Sequence, residues 1–179
     1  MAGFLRAAGY VITEMGYERA TMSAIAERAH SCIGSLYQFF PNKPAVAEAL
    51  RDQYIKDIEQ SWKTLGRRAA GMNAESLACR LVTLQIEIVE SHPALLALLD
   101  VPPASHRRRE LIRARIATVL IANKPNMSRS TALRIASVVQ HVSRGLLALY
   151  AQTDADKKIA ITEEFKSVLT GYLVPKLQS

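Results

Sequence analysis

Residues 21–43 read TMSAIAERAHSCIGSLYQFFPNK. Met22, Ile25, Ala26 and Ala29 recur at three- and four-residue steps, the spacing of one helix face. Thr21 or Ser23 can cap the start of that helix, predicted over 22–29. The triplet His30-Ser31-Cys32 breaks the pattern. Ile33, Leu36, Phe39 and Phe40 then resume it over 33–39, and Pro41-Asn42 closes it. Two short helices about so tight a turn fit either a plain helical hairpin or a helix-turn-helix. In the latter the second helix enters the major groove of DNA.

The residues around this stretch carry a resemblance. Gly16-Tyr17 through Thr21, Ile25-Ala26 with Ala29, and Gly34, Leu36-Tyr37, Phe40 and Lys43 are similar to the N-terminal domain of the TetR family of transcriptional regulators, over roughly residues 4–50. The resemblance implies that Thr21, Ser35, Tyr37 and Lys43 touch DNA backbone or bases. It also implies that an effector held by the C-terminal part acts through a fourth, long helix on the two reading helices of a dimer.

The residue chemistry fits those roles. Gly34 allows close backbone approach, and Ser35 and Gln38 can bond base edges or phosphates. The Tyr37 hydroxyl suits a phosphate, and Ile33 suits a thymine methyl or the core. Lys43 and the helix start at Thr21 suit phosphates. The turn departs from the family pattern, which has glycine first and a Ser or Thr cap third. Cys32 stands at the cap, and a thiol caps weakly, so Ser31 is expected to take over, with Cys32 a small buried filler.

The whole chain has 179 residues, 49% of them hydrophobic, enough to build a sizeable core. No alternating run rich in β-branched residues appears, so the fold is predicted all-α, with about nine helices. The first, 3–15, buries Phe4 or Leu5, Ala8, Val11, Ile12 and Met15, and Gly16 caps its end. The fourth spans 43–68. Others follow at 74–91, 93–99, 105–122, 128–152 and 155–173, the last stopped by Val174-Pro175. Residues 1–45 are expected to form the DNA-binding domain and 46–179 the ligand-binding and dimerisation domain. The wide apolar faces of helices 8 and 9 (128–152 and 155–173) suggest a homodimer with a four-helix interface.

Cys32 and Cys79 are the only cysteines and have no metal-ligand spacing around them, which suggests a reduced, cytoplasmic protein. No stretch reaches the ~20 apolar residues of a membrane span, and the N-terminus is not that of a signal peptide. There is no catalytic triad, phosphate loop or metal motif, so neither an enzyme nor a resident cofactor is expected. Tyr54, Trp62, Gln85, His92, His141 and Arg144 are the polar candidates for contact with a mostly apolar effector.

The net charge of +7 is unevenly spread. Residues 1–50 balance Arg6, Arg19, Arg28 and Lys43 against Glu14, Glu18, Glu27 and Glu48; the surplus lies later, at Arg67-Arg68 and Arg107–Arg109. The arginine run is read as a solvated face. A neutral reading domain implies few phosphate contacts or an N-terminal extension upstream. It also leaves open a helical small-molecule or interaction module whose DNA-binding unit has lapsed.

Overall fold

The computed structural model describes residues 1–98, 101 and 106–178, without the side chains of residues 106–108. Every regular element among them is helical. In order they are α1 (Ala2–Met15), α2 (Met22–Arg28), α3 (Ile33–Phe39), α4 (Lys43–Ala69), α5 (Ala74–Ser91), α6 (Ala94–Leu98), α7 (His106–Asn123), α8 (Arg129–Gln152) and α9 (Lys158–Gln178). The predicted Val101-Pro102-Pro103 break and the start of the seventh helix fall largely outside the described residues, as do the side chains of Arg107 and Arg108. Arg109 is exposed.

The helices form two compact units. The first comprises Met1–Ile58 and Val89–Ala104. Ala8, Ile12, Ile25, Leu36, Val46, Leu50 and Leu98 make its core. Leu36 is the one fully buried residue of α3, so a single leucine roots that helix while the rest of it stays outside. Gly16 ends α1 at φ 76°, a conformation that costs glycine little, and its N–H closes on the Ile12 carbonyl. Arg51, 5% exposed, lies across this core. Its guanidinium donates to the Leu98 carbonyl at 3.2 Å, to the Val101 carbonyl at 2.8 Å and to Glu48 at 3.2 Å. Pairing of this kind is the condition on which a charge can be buried.

The second unit comprises Glu59–Ile88 and Ser105–Ser179. α7 and α8 pack on each other, and Leu77, Leu81, Ile116, Leu120, Ile135, Val139, Leu169 and Leu173 are buried in this unit. Asn123 ties the end of α7 to the loop after α4 by donating to the carbonyls of Ala69 and Met72. Ser128 caps α8, accepting from the Thr131 N–H.

Four expectations need correcting. Met15, expected on the buried stripe of α1, is exposed. α9 does not stop at Val174-Pro175 but runs through Pro175 to Gln178. The proline removes one ladder hydrogen bond, yet Leu173 and Leu177 on the same face are buried and hold the last turn. Ser31 does not cap α3. Its N–H goes back to the Ala26 carbonyl, and Cys32 occupies the cap position without a side-chain cap bond. Nor is Cys32 a buried filler: it is exposed.

Candidate nucleic-acid interface and effector cavity

The reading surface is built by the turn between α2 and α3. Thr21 caps α2, its hydroxyl oxygen accepting from the Ala24 N–H at 3.1 Å, and it stays exposed. The turn closes through Ala29 N–H to Ile25, His30 N–H to Glu27 and Ser31 N–H to Ala26. His30 takes φ 50°, the left-handed region where the family pattern has glycine.

With Leu36 and Phe40 inside, α3 turns Ile33, Gly34, Tyr37 and Gln38 outward. Ile33 is 42% exposed and Tyr37 50%. Ile33 therefore does not pack inward, and an apolar residue beside a tyrosine is left on an open face. A Cβ added to Gly34 would meet nothing within 4 Å, so nothing inside the chain requires glycine there. Ser35 is half-buried, its Oγ 3.1 Å from the Cys32 sulfur. The Ser35 hydroxyl, and after it the backbone N–H groups of Ser35 and Gly34, hold the thiol below its ordinary range.

Three of the cations of this region are engaged within the chain. Lys43 donates to the carbonyls of Tyr17 and Glu18, both at 2.9 Å, and lies 4.5 Å from the Tyr17 ring centre. It pins the α1–α2 turn to the start of α4 and keeps one ammonium hydrogen for other use. Arg28 pairs with Glu14 at 3.5 Å and stacks over Tyr10. Arg19 donates to the Met15 carbonyl.

The effector candidates are distributed over both units. Tyr54 and His92 meet edge to face in the first unit, ring centres 4.6 Å apart, with Asp57 3.7 Å from the histidine. Burial, and after it the Asp57 charge, raises the Tyr54 phenol above its ordinary value. In the second unit Trp62 is buried on α4. His141 and Arg144 are exposed on α8, the histidine Nδ1 2.8 Å from the Ser137 carbonyl.

Gln85 is the candidate that reaches a pocket. Val82 and Ile86 of α5, Leu146 and Leu147 of α8, and Phe165 and Leu169 of α9 line with it a depression of about 10 Å³ that is partly open to solvent. The eighth residue of the lining is Ser143, 5% exposed, whose hydroxyl finds no hydrogen-bond partner among the described residues. A buried unpaired hydroxyl costs about 1–3 kcal/mol. The sequence marked Ser143 only as a small residue; its isolation arises from three helices meeting. A second, larger groove of about 240 Å³ is lined by Gln60, Ser61, Thr64, Leu65, Arg68, Met72 and Arg80. Arg80 there is ion-paired with Glu87.

On the outward side of α8, Arg134, Val138, His141, Gly145, Ala148 and Leu149 form an exposed stripe. Ala160, Glu164, Ser167, Val168, Gly171 and Pro175 form another on α9. Both are rich in small and apolar residues. Among the described residues no His, Cys, Asp and Glu groups assemble a metal site, and no helix is long and apolar enough to cross a membrane.

A short helix rooted by one leucine, its outer face presented behind a tight turn, is the geometry of a helix-turn-helix. Residues 4–50 match the sequence profile of bacterial regulatory proteins of the tetR family, and residues 74–173 that of the tetracyclin repressor-like C-terminal domain. The chain belongs to the TetR family of bacterial regulatory proteins. It is 42% identical over 53 residues to the A-factor receptor protein of Streptomyces griseus, a match covering 30% of this chain and 19% of that relative's length. The chain thus spans about a fifth of the curated relative it matches. Its fold is similar to that of a TetR-family transcriptional regulator from Streptomyces coelicolor, with a TM-score of 0.69, 22% identity, and coverage of 96% of this chain and 95% of that one. It is also similar to the MbdR regulator from Azoarcus sp. CIB, with a TM-score of 0.69, 20% identity, and coverage of 94% and 96%.

Proposed function

We propose that the protein is a cytoplasmic repressor that holds operator DNA as a homodimer and releases it on binding a small, mostly apolar effector. The outward face of α3 carries this reading: Ile33, Gly34, Tyr37 and Gln38 are all exposed on it. Ile33, Ser35 and Gln38 read base edges, while Thr21, Ser31, Tyr37 and the remaining hydrogen of Lys43 reach phosphates. Residues 1–45 supply this reading part, and residues 46–179 the effector and dimerisation part. The exposed stripes of α8 and α9 form the four-helix interface, which spaces two copies of α3 by about one turn of DNA, roughly 34 Å. The effector works only by preferring the state that does not bind DNA.

The test is binding of the purified chain to DNA from upstream of its own gene, against a scrambled duplex. Tyr37→Phe is expected to weaken binding to every sequence, and Gln38→Ala to change the preference among sequences. Equal losses on all duplexes with Gln38→Ala would remove that residue from base reading.

The even balance of charge in residues 1–50 favours a second reading, a small-molecule-binding module with a lapsed DNA-binding unit. Failure to bind either duplex at low salt selects it.

A further inference from the structure

We infer that the small depression between α5, α8 and α9 is the contracted form of the effector site, and that it takes a neutral, predominantly apolar molecule whose one hydrogen-bonding oxygen meets the Ser143 hydroxyl. The inference rests on the reading of the chain as an effector-released regulator. It adds a place and a ligand class.

The place follows from Ser143. Its hydroxyl is buried and unpartnered on the wall of this depression, so it can gain a bond there without breaking one in the protein. Gln85, on the same wall, is fixed by its Nε2 donating to the Leu81 carbonyl at 2.9 Å. That bond does not use its amide oxygen, which remains available as an acceptor. Two neutral polar groups in an otherwise aliphatic and aromatic lining can orient a ligand without charge.

The ligand class follows from the rest of the wall. Among the described residues no charged side chain lines the depression, so a carboxylate or ammonium would lose hydration with no counter-charge to replace it. A ketone, ester, lactone or alcohol on an alkyl body loses far less and offers the oxygen that Ser143 needs.

The size couples binding to a change of shape. About 10 Å³ holds no more than a single water, whereas small-molecule sites run to roughly 300 Å³ or more. An occupant must separate the walls, so it binds the opened arrangement of α5, α8 and α9 and not the contracted one. That difference in affinity is what a population shift requires.

The experiment titrates the full chain with 2-decanone and, separately, with decanoate, following the fluorescence of Trp62, the only tryptophan. Saturable binding of 2-decanone, at least about tenfold tighter than decanoate, is expected. Ser143→Ala is expected to raise the Kd for 2-decanone about tenfold, the loss of one hydrogen bond, with the melting temperature unchanged or higher. Gln85→Leu gives a second variant should the first fold poorly; it is expected to weaken the ketone similarly. Equal binding of decanoate, an unchanged Kd in both variants, or no saturable binding of the ketone overturns the inference. The two readings separate in a parallel DNA assay. A ketone that binds through Ser143 yet leaves operator DNA held overturns effector release and leaves the site standing. Release by a compound to which Ser143→Ala and Gln85→Leu are indifferent does the reverse.

Discussion

A methyl group placed on Gly9 of α1 would stand 2.9 Å from the hydroxyl of Tyr54 on α4, closer than real side chains approach. The tyrosine is 8% exposed and its ring is held against His92, so it has little room to yield. Two effects oppose each other in Gly9→Ala. Alanine favours the helix by about 1 kcal/mol, and overpacking costs about 1–3 kcal/mol. A net loss of about 1 kcal/mol is expected in urea unfolding. In a Tyr54→Phe background the obstructing oxygen is gone, and the same substitution should stabilise by up to about 1 kcal/mol. A double-mutant cycle with no coupling would show that the helices shift freely instead.

Tyr54 also sets a limit on the alkaline side. Burial raises its phenol above the ordinary 10.0, with Asp57 adding to the effect, and burial likewise raises Tyr17. The folded chain then holds these protons more tightly than the unfolded chain. The stabilisation is complete below about pH 10 and is lost as pH rises from the unfolded value through the raised folded ones. Urea midpoints measured from pH 8 to 11 should fall above pH 10. Tyr54→Phe should flatten part of that fall, and Tyr17→Phe with Tyr54→Phe more of it. Identical slopes in all three proteins would assign the loss to other groups.

Gly34 separates folding from DNA binding. An added methyl has open space around it, and alanine is the better helix former by roughly 0.5–1 kcal/mol. Gly34→Ala should therefore melt at the same temperature or higher. On the proposed interface it should lose at least about tenfold in operator affinity, because a side chain would stand where α3 meets the duplex. Undiminished binding would move the interface off this face.

The engaged cations predict a shallow salt dependence. Lys43, Arg28 and Arg19 all have partners within the chain, so phosphate contact falls chiefly to hydroxyl, amide and backbone groups. Each neutralised phosphate contributes about −0.9 to the slope of log affinity against log salt. A dimer using one or two cations per copy should give a slope of about −2 to −4. A slope near −5 would mean that the lysine and both arginines leave these partners on DNA.

How much of this was legible in the sequence differs by element. Helical periodicity and the glycine at position 16 placed α1 to α5 closely, because there local preference and burial agree. Pro175 misled because local chemistry says stop, while the burial of Leu173 and Leu177 says continue. The capping of α3 also misled: a serine next to a cysteine looks like a substitute cap, but Ser31 closes the preceding turn, one residue ahead of the cap position that Cys32 holds. Ile33 was ambiguous until α3 was rooted by Leu36. Ser143 and Arg51 gave no signal as sites, since a depression between helices and a buried cation depend on residues far apart in the chain. Of the effector candidates, composition picked out polar residues on apolar helices but not which of them face a cavity.

The buried guanidinium of Arg51 has a mechanical meaning. It joins α4 to the last carbonyl of α6 and to that of Val101 beyond it, so the end of α6 cannot slide gradually past α4. Intermediate positions would take two carbonyl acceptors from a buried guanidinium that keeps Glu48, at a cost of about 1–3 kcal/mol for each bond lost. Such a joint acts as a latch with a threshold, not as a spring: small disturbances leave it shut, and it opens only as a whole. A signal passing through it would be digital, and its set point would be fixed by how well two carbonyls hold one arginine.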